Sequence, residues 1–304
     1  VTVRLGDTDL EVFPLCLGGN VFGRSADEQQ SFAVLDAYVE GGGNFIDTAN
    51  IYAEGESERI IGRWMRARGN RDRVVLATKV GMGSPPGLAP RRIREAVEES
   101  LRALQTDRID LYYAHQDDPH TPLEQTLSAF DALVKGGKAR HVAASNYSAP
   151  RLAEALEVSA REGLARYMAL QPHYNLVVRE EFEGELQRLC ERERLPCVPY
   201  FALAQGFLTG KYRPGGPRVE SHRAARASAY LDDRGERILR VLDEVSEAHG
   251  TTVPAVALAW LRAQPTVAAP IASARTVEQL QGLLAMATLR LQDEELQALT
   301  DAGR

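Results

Sequence analysis

Four side chains in this sequence have the types and spacing to move a proton at a reacting oxygen. Asp47 closes the apolar run Phe45-Ile46, and Tyr52 follows five residues later. Lys79 comes after Leu76-Ala77-Thr78, and His115 after Tyr112-Tyr113-Ala114. Each acid or base stands where a run with strand character ends and a stretch of helical period is about to begin. Taken singly they have ordinary structural readings: a turn or cap acid, a paired lysine, a hydrogen-bonded histidine, a packed tyrosine. Arriving on consecutive strands, they form a set.

The chemistry that links them is proton donation by a phenol. A tyrosine has a reference pKa of about 10, too high for easy donation near neutrality. A lysine ammonium about 4 Å away favours phenolate by about 4 kcal/mol at an effective dielectric of 20, before desolvation opposes it. Asp47 would keep Lys79 charged and oriented, and His115 could hydrogen-bond a substrate carbonyl. Such a set suits protonation of an oxygen that is becoming an alkoxide, with hydride delivery to the carbonyl carbon completing a reduction. A Schiff-base aldolase would also use a strand-end lysine, but Tyr52 argues for reduction. A metal-dependent hydrolase could use Asp47 and His115 as ligands. Lys79 between them would repel the cation, and no further histidine cluster is present, so no metal site is expected.

The elements that must position these residues alternate regularly. Candidate strands cover 15–19, 44–48, 74–80, 109–115, 140–145, 169–172, 197–203 and 267–272. Helical periodicity covers 28–40, 57–68, 89–104, 123–135, 149–161, 180–192, 233–249 and 253–263, with 276–287 and 293–302 after the last strand. Pro90 marks a helix start, Gly136-Gly137 a stop, and Asn146 to Pro150 another start. Two short alternating runs flank Gly6-Asp7-Thr8-Asp9 and predict an N-terminal β-hairpin that caps something larger. Eight strand–helix units predict an α/β fold of the (β/α)8 TIM-barrel type, with extra C-terminal helices and one domain over 1–304. In that architecture function lies at the carboxyl ends of the strands, where the four residues fall.

A doubly wound sheet is the runner-up, but its dinucleotide form needs a glycine fingerprint after the first strand. Gly18, Gly19 and Gly23 have the wrong spacing, and Gly41-Gly42-Gly43 reads as a helix stop. The connection 206–226 contains Pro214, Gly215, Gly216 and Pro217 and is expected to be a long functional loop.

Composition narrows the class. In 304 residues, 44% are hydrophobic and 26% charged, and 36 basic against 42 acidic residues give a formal charge of -6. The charges are interspersed, so neither a nucleic-acid backbone nor a membrane surface is an expected partner. Three cysteines without metal-ligand spacing, Cys16, Cys190 and Cys197, argue for a reducing compartment, and a cytoplasmic location is expected.

With these stretches in hand the sequence resembles the aldo-keto reductases. The matching segments are Leu17 to Gly23, Asn44 to Tyr52, Ala77 to Val80, Asp110 to His115, Ala144-Ser145-Asn146, Gln171 to Asn175, Pro199 to Tyr212 and Pro270 to Gln279. They run through nearly the whole chain in order. The resemblance implies a barrel that binds NADPH without a Rossmann domain, NADH being the lesser cofactor. It assigns Tyr52 as general acid/base, with Asp47, Lys79 and His115 completing a tetrad.

For the cofactor it implies Ser145, Asn146 and Gln171 at the nicotinamide carboxamide and Tyr200 stacked on the ring. Leu203, Gln205, Gly206, Leu208, Gly210 and Lys211 would cover the pyrophosphate. Ser273, Arg275 and Gln279 would surround the 2'-phosphate, for which a guanidinium is a good match. Gly19, Asn20, Asp47 and Phe201 belong to the implied cofactor set as well. Phe201 stands where the family often has Ser, and Gly282-Leu283 replaces a frequent Glu-Asn pair near the adenine. The substrate would be a small aldehyde or ketone, selected by Val21, Phe22 and the loops 82–88, 116–120 and 206–226. An alternative role within the same family is a cofactor-binding regulatory subunit with little turnover. The sequence leaves oligomeric state open.

Overall fold

The computed structural model describes residues 1–216 and 224–304. It opens with a hairpin in which β1 (Val3–Arg4) pairs antiparallel with β2 (Glu11–Val12), in the register Val3↔Val12 and Arg4↔Glu11. Leu5, Leu10 and Val12 bury against Phe45, Val75 and Leu111, so the hairpin plugs the amino-terminal end of the sheet that follows. Asp9 fastens it from outside, accepting from Arg140 at 2.6 Å and bonding His141 at 2.7 Å.

Strand–helix alternation then begins. In chain order it runs β3 (Cys16–Gly18), α1 (Glu28–Glu40), β4 (Phe45–Asp47), α2 (Glu56–Arg68), β5 (Val75–Val80) and α3 (Pro90–Ala103). It continues with β6 (Ile109–Ala114), α4 (Leu123–Lys135), β7 (Ala139–Ser145), α5 (Ala149–Glu162), β8 (Tyr167–Gln171) and α6 (Glu185–Glu193). Last come α7 (Ala224–Ser228), α8 (Asp233–Ala248), α9 (Val253–Arg262), β9 (Ile271–Ala272), α10 (Val277–Leu284) and α11 (Asp293–Ala302). The parallel sheet has the order β8-β7-β6-β5-β4-β3-β9. Its central strands β5 and β6 are buried throughout, as barrel strands inside a helical ring must be.

The expected seventh barrel strand, 197–203, is not a regular strand. Pro196, Pro199 and Pro270 have no N–H to donate to a ladder. The segment therefore closes the barrel by isolated parallel bridges, Cys197 to Leu170 and to Val267, and His173 to Tyr200. Backbone bonds from Val198 N to Leu170 O (2.9 Å) and from Ile271 N to Pro199 O (2.8 Å) complete the circle. The result is a (β/α)8-type barrel.

Helix limits follow local chemistry. Asp27 and Gln30 make a reciprocal capping box at the start of α1. At its end the chain must pass under Tyr38, whose hydroxyl donates to Leu15 O at 2.6 Å and accepts from Phe45 N at 3.2 Å. A methyl group at Gly43 would sit 2.3 Å from that ring, which is why the turn into β4 needs glycine. The expected helix 180–192 starts late, because Gly184 takes φ 111 and ψ -121 and breaks the chain before Glu185. In the connection expected as loop, residues Ala204–Thr209 form a 3-10 turn and α7 follows. The alanine-rich α7 buries Ala227, and the ring of nearby Tyr230 lies 5.9 Å from Phe207. Pro217 and the rest of 217–223 lie outside the described residues.

Among the described residues no helix is long and apolar enough to cross a membrane, and no cluster of three His, Cys, Asp or Glu side chains could hold a metal ion.

Candidate active site

Sheet register brings the sequence-selected residues to one rim. Asp47 pairs with Gly18 on one side and with Ala77 on the other, while Lys79 pairs with Tyr113 and Ser145 with Gln171. His115 extends β6 by one more rung, its N–H donating to Val80 O at 2.8 Å. The strand ends therefore point Asp47, Lys79, His115, Ser145 and Gln171 to the same end of the barrel.

Tyr52 reaches that rim by a different route. It opens a turn, Tyr52–Gly55, in which Ala53 (φ 48), Glu54 (φ 54) and Gly55 (φ 82) are all left-handed. Such backbone costs an L-residue roughly 1–2 kcal/mol at each position. The strain persists because α2 starts at once and anchors the turn from below.

The geometry is that of a charged pair beneath an aromatic wall. Lys79 is fully buried, and its Nζ donates to Asp47 Oδ1 at 2.5 Å and to Thr48 O at 2.6 Å. The same ammonium lies 5.0 Å from the centroid of the Tyr52 ring and 5.9 Å from that of Tyr113. Burial works against the lysine charge, but Asp47 and then Tyr52 hold its pKa above the ordinary lysine value. Gln171 Nε2 donates to the second carboxylate oxygen of Asp47 at 3.0 Å, so the acid is held from both sides.

The His115 ring meets that of Tyr52 edge-on, 6.0 Å between centroids. Burial, with the Lys79 charge added, lowers its pKa from 6.5 to about 2. The imidazole is therefore neutral at physiological pH, a hydrogen-bonding group rather than an acid.

A second network runs along the neighbouring strand ends. Ser145 Oγ donates to Gln171 O at 2.9 Å, and Asn146, left-handed at φ 56, donates to His115 O at 2.9 Å. Tyr200 Oη donates to Asn146 Oδ1 at 2.8 Å. Its ring stacks on His173 at 5.2 Å and 14°, and burial, with Glu181 and Tyr52 contributing, pushes its pKa up to about 12. On the opposite wall Ser273 Oγ donates to Asn20 Oδ1 at 2.6 Å.

These residues border one cleft of about 1000 Å³, at the upper end of the range for cofactor sites. Asp47, Tyr52 and His115 line it, together with Asn20, Ser145, Asn146, Gln171, Tyr200, Phe201, Leu203, Gln205, Gly206, Lys211, Ser273, Arg275 and Gln279. Lys79 lies behind the wall, in contact with Asp47 and beneath the Tyr52 ring. Gly19, Leu208 and Gly210 do not line the cleft. A Cβ at Gly19 would come within 2.9 Å of Ser57 Oγ, and Leu208 is fully buried.

Several lining residues were not anticipated, among them Arg24, Ser25, Ile51, Thr252, Val253, Pro254 and Glu278. One carried a legible signal: Thr252 before Val253-Pro254 marks a helix start, and Thr252 Oγ1 does cap α9 by accepting from Ala255 N at 3.3 Å. The cleft thus includes the amino end of a helix, a favourable place for an anion.

A family model described as the aldo/keto reductase family matches residues 14–304. The chain belongs to the aldo-keto reductases. A norsolorinic acid reductase of Emericella nidulans is 34% identical, over 96% of this chain and 78% of that protein. An uncharacterised oxidoreductase of Bacillus subtilis, YrpG, is also 34% identical, over 98% and 94%. A probable voltage-gated potassium channel subunit beta of Arabidopsis thaliana is 32% identical, over 91% and 88%. As an aldo-keto reductase the protein is an oxidoreductase, and the cleft at the carboxyl ends of its strands is the candidate active site.

Proposed function

We propose that this aldo-keto reductase uses NADPH to reduce the carbonyl of a small aldehyde or ketone to an alcohol, with Tyr52 as the proton donor. The observation that carries the proposal is the buried Lys79 ammonium, 2.5 Å from Asp47 and 5.0 Å from the Tyr52 ring centroid, with the His115 ring edge-on to that of Tyr52.

The cleft fits a dinucleotide on two further observations. Gln205 Oε1 is buried without a hydrogen-bond partner, as expected of a group that meets a ligand. Arg275 borders the cleft and makes no ion pair among the described residues, so its guanidinium is available to a phosphate. Ser145, Asn146 and Gln171 would hold the nicotinamide end, Tyr200 would offer a ring face, and Lys211, Ser273, Arg275 and Gln279 would hold the phosphate end. When bound, the cofactor supplies the hydride.

The protein's own part is electrostatic and positional. Neutral His115 orients the carbonyl oxygen by hydrogen bonding. The Lys79 charge stabilises the negative charge left on the Tyr52 oxygen as its proton moves to the substrate alkoxide. Asp47 keeps that charge in place and donates nothing itself. Three free, buried cysteines suit a reducing compartment, and the proposal is for a cytoplasmic enzyme.

Likeness to the Arabidopsis channel subunit favours a second reading, a cofactor-binding regulatory protein with little turnover. A panel of aldehydes, ketones and sugar-derived carbonyls, with NADPH consumption as readout, separates the two. Carbonyl-dependent consumption supports the reductase. Tight NADPH binding with no turnover on any compound supports the regulatory reading.

A further inference from the structure

Two polar residues in the first turn of α2, Ser57 and Glu58, are buried although neither borders the cleft. Ser57 is 0% and Glu58 2% exposed. A serine and a glutamate at the start of a helix would ordinarily face solvent or cap the helix end. Here the N-cap residue is Gly55, which has no side chain to cap with, and both polar groups turn inward.

Their partners are the strands that carry the candidate catalytic groups. Ser57 Oγ donates to Gly19 O at 2.8 Å, at the end of β3, and lies 2.8 Å from Thr48 Oγ1, just beyond β4. Thr48 is also the residue whose carbonyl receives Lys79 Nζ. Thr78 Oγ1 donates to Glu58 Oε1 at 2.6 Å, and Thr78 is the β5 residue next to Lys79. Burial pushes the Glu58 carboxyl up, opposed by the hydrogen bond from Thr78. An acid held there without solvent is costly, and cost without a solvent role points to positioning.

The helix that receives these bonds begins where the left-handed Tyr52–Gly55 turn ends. Three connections therefore hold the base of that turn to the ends of β3, β4 and β5. We propose that Glu58 and Ser57 are positioning residues that set Tyr52 against Lys79, Glu58 doing so through its hydrogen bond from Thr78. This rests on the reading of Tyr52 as proton donor.

The mechanical role makes a distinction that overall stability does not. Gln at 58 keeps an acceptor for Thr78 and about the same length, whereas Ala removes it. Val at 78 has the shape of Thr and no donor. Glu58→Ala and Thr78→Val are expected to lower kcat by about ten- to a hundredfold, the range in which a displacement near 1 Å acts. KM for the carbonyl and the dissociation constant of NADPH, measured by fluorescence without substrate, stay within about twofold, a difference below 0.5 kcal/mol. Glu58→Gln and Thr78→Ser restore most of the rate. The solvent deuterium isotope effect on kcat rises in the slow variants, because a displaced phenol makes proton transfer more limiting, while general destabilisation leaves it unchanged.

Wild-type kcat in Thr78→Val and Glu58→Ala overturns the proposal. So does an equal loss in Glu58→Gln and Glu58→Ala with no change in isotope effect. Tyr52→Phe run alongside separates the two levels: full turnover there removes the proton-donor reading itself, whereas an inactive Tyr52→Phe beside a normal Thr78→Val removes only the tether.

Discussion

Lys79 Nζ and Asp47 Oδ1 stand 2.5 Å apart at a depth where neither side chain meets solvent to more than 4%. A buried pair of this kind is poor evidence for net stability, because desolvation offsets most of the attraction, but breaking it leaves one charge uncompensated. Asp47→Asn is therefore expected to destabilise the protein by about 3–5 kcal/mol in urea unfolding. Adding Lys79→Met should recover much of that stability and none of the turnover. Recovery of turnover in the double variant would mean that the pair is structural only.

His115 gives a pH dependence with a definite sign. Its native pKa is lowered to about 2 from an ordinary 6.5. Below pH 6.5 the unfolded chain gains a proton that the native state refuses, so stability falls as pH drops from 6.5 toward 2 and is unaffected above 6.5. From pH 7 to 5 the loss attributable to this residue is about 2 kcal/mol. Chemical denaturation of wild type and His115→Gln at both values checks it: the variant should lose correspondingly less on acidification, and parallel losses would contradict a neutral buried imidazole.

Arg275 should report on the 2'-phosphate. Arg275→Ala is expected to weaken NADPH by about tenfold, or 1.4 kcal/mol, and NADH by much less. Direct binding titrations with both cofactors test this, and an equal loss would remove the residue from that role.

Asp118 joins the loops that follow β5 and β6, accepting from Leu88 N at 2.8 Å and from Thr121 Oγ1 at 2.7 Å. It thereby fixes the loop that presents Met82 to the cleft. Asp118→Ala is expected to raise KM for the carbonyl several-fold, on the order of 1 kcal/mol, with NADPH affinity unchanged. Unchanged KM would place the loop outside substrate recognition.

The parts of the molecule that were legible in the sequence are those where local pattern and tertiary fate agree. Helices 28–40, 123–135 and 293–302 start and stop where caps, glycines and apolar period say they should. Asp47, Lys79 and His115 could be found because barrel strands end in fixed register, so neighbours in the sheet become neighbours in the site. The seventh strand was less regular than its apolar run suggested, since hydrophobic pattern does not count missing N–H donors. Ser57 and Glu58 escaped notice for the opposite reason. A polar pair at a helix start has an ordinary surface explanation, and only the packed structure reveals that α2 turns it toward the strands. The left-handed backbone at Phe201, Ala204 and Gln205 was likewise not legible, because no glycine marks it.

In the proposed mechanism Tyr52 gives up the proton while the surrounding residues hold and charge the site. The direct measurement is carbonyl-dependent NADPH oxidation by Tyr52→Phe, paired with an NADPH binding titration of the same variant. Turnover is expected to fall by at least a thousandfold, about 4 kcal/mol of transition-state stabilisation, with cofactor affinity within about twofold of wild type. Turnover at the wild-type rate would contradict this mechanism.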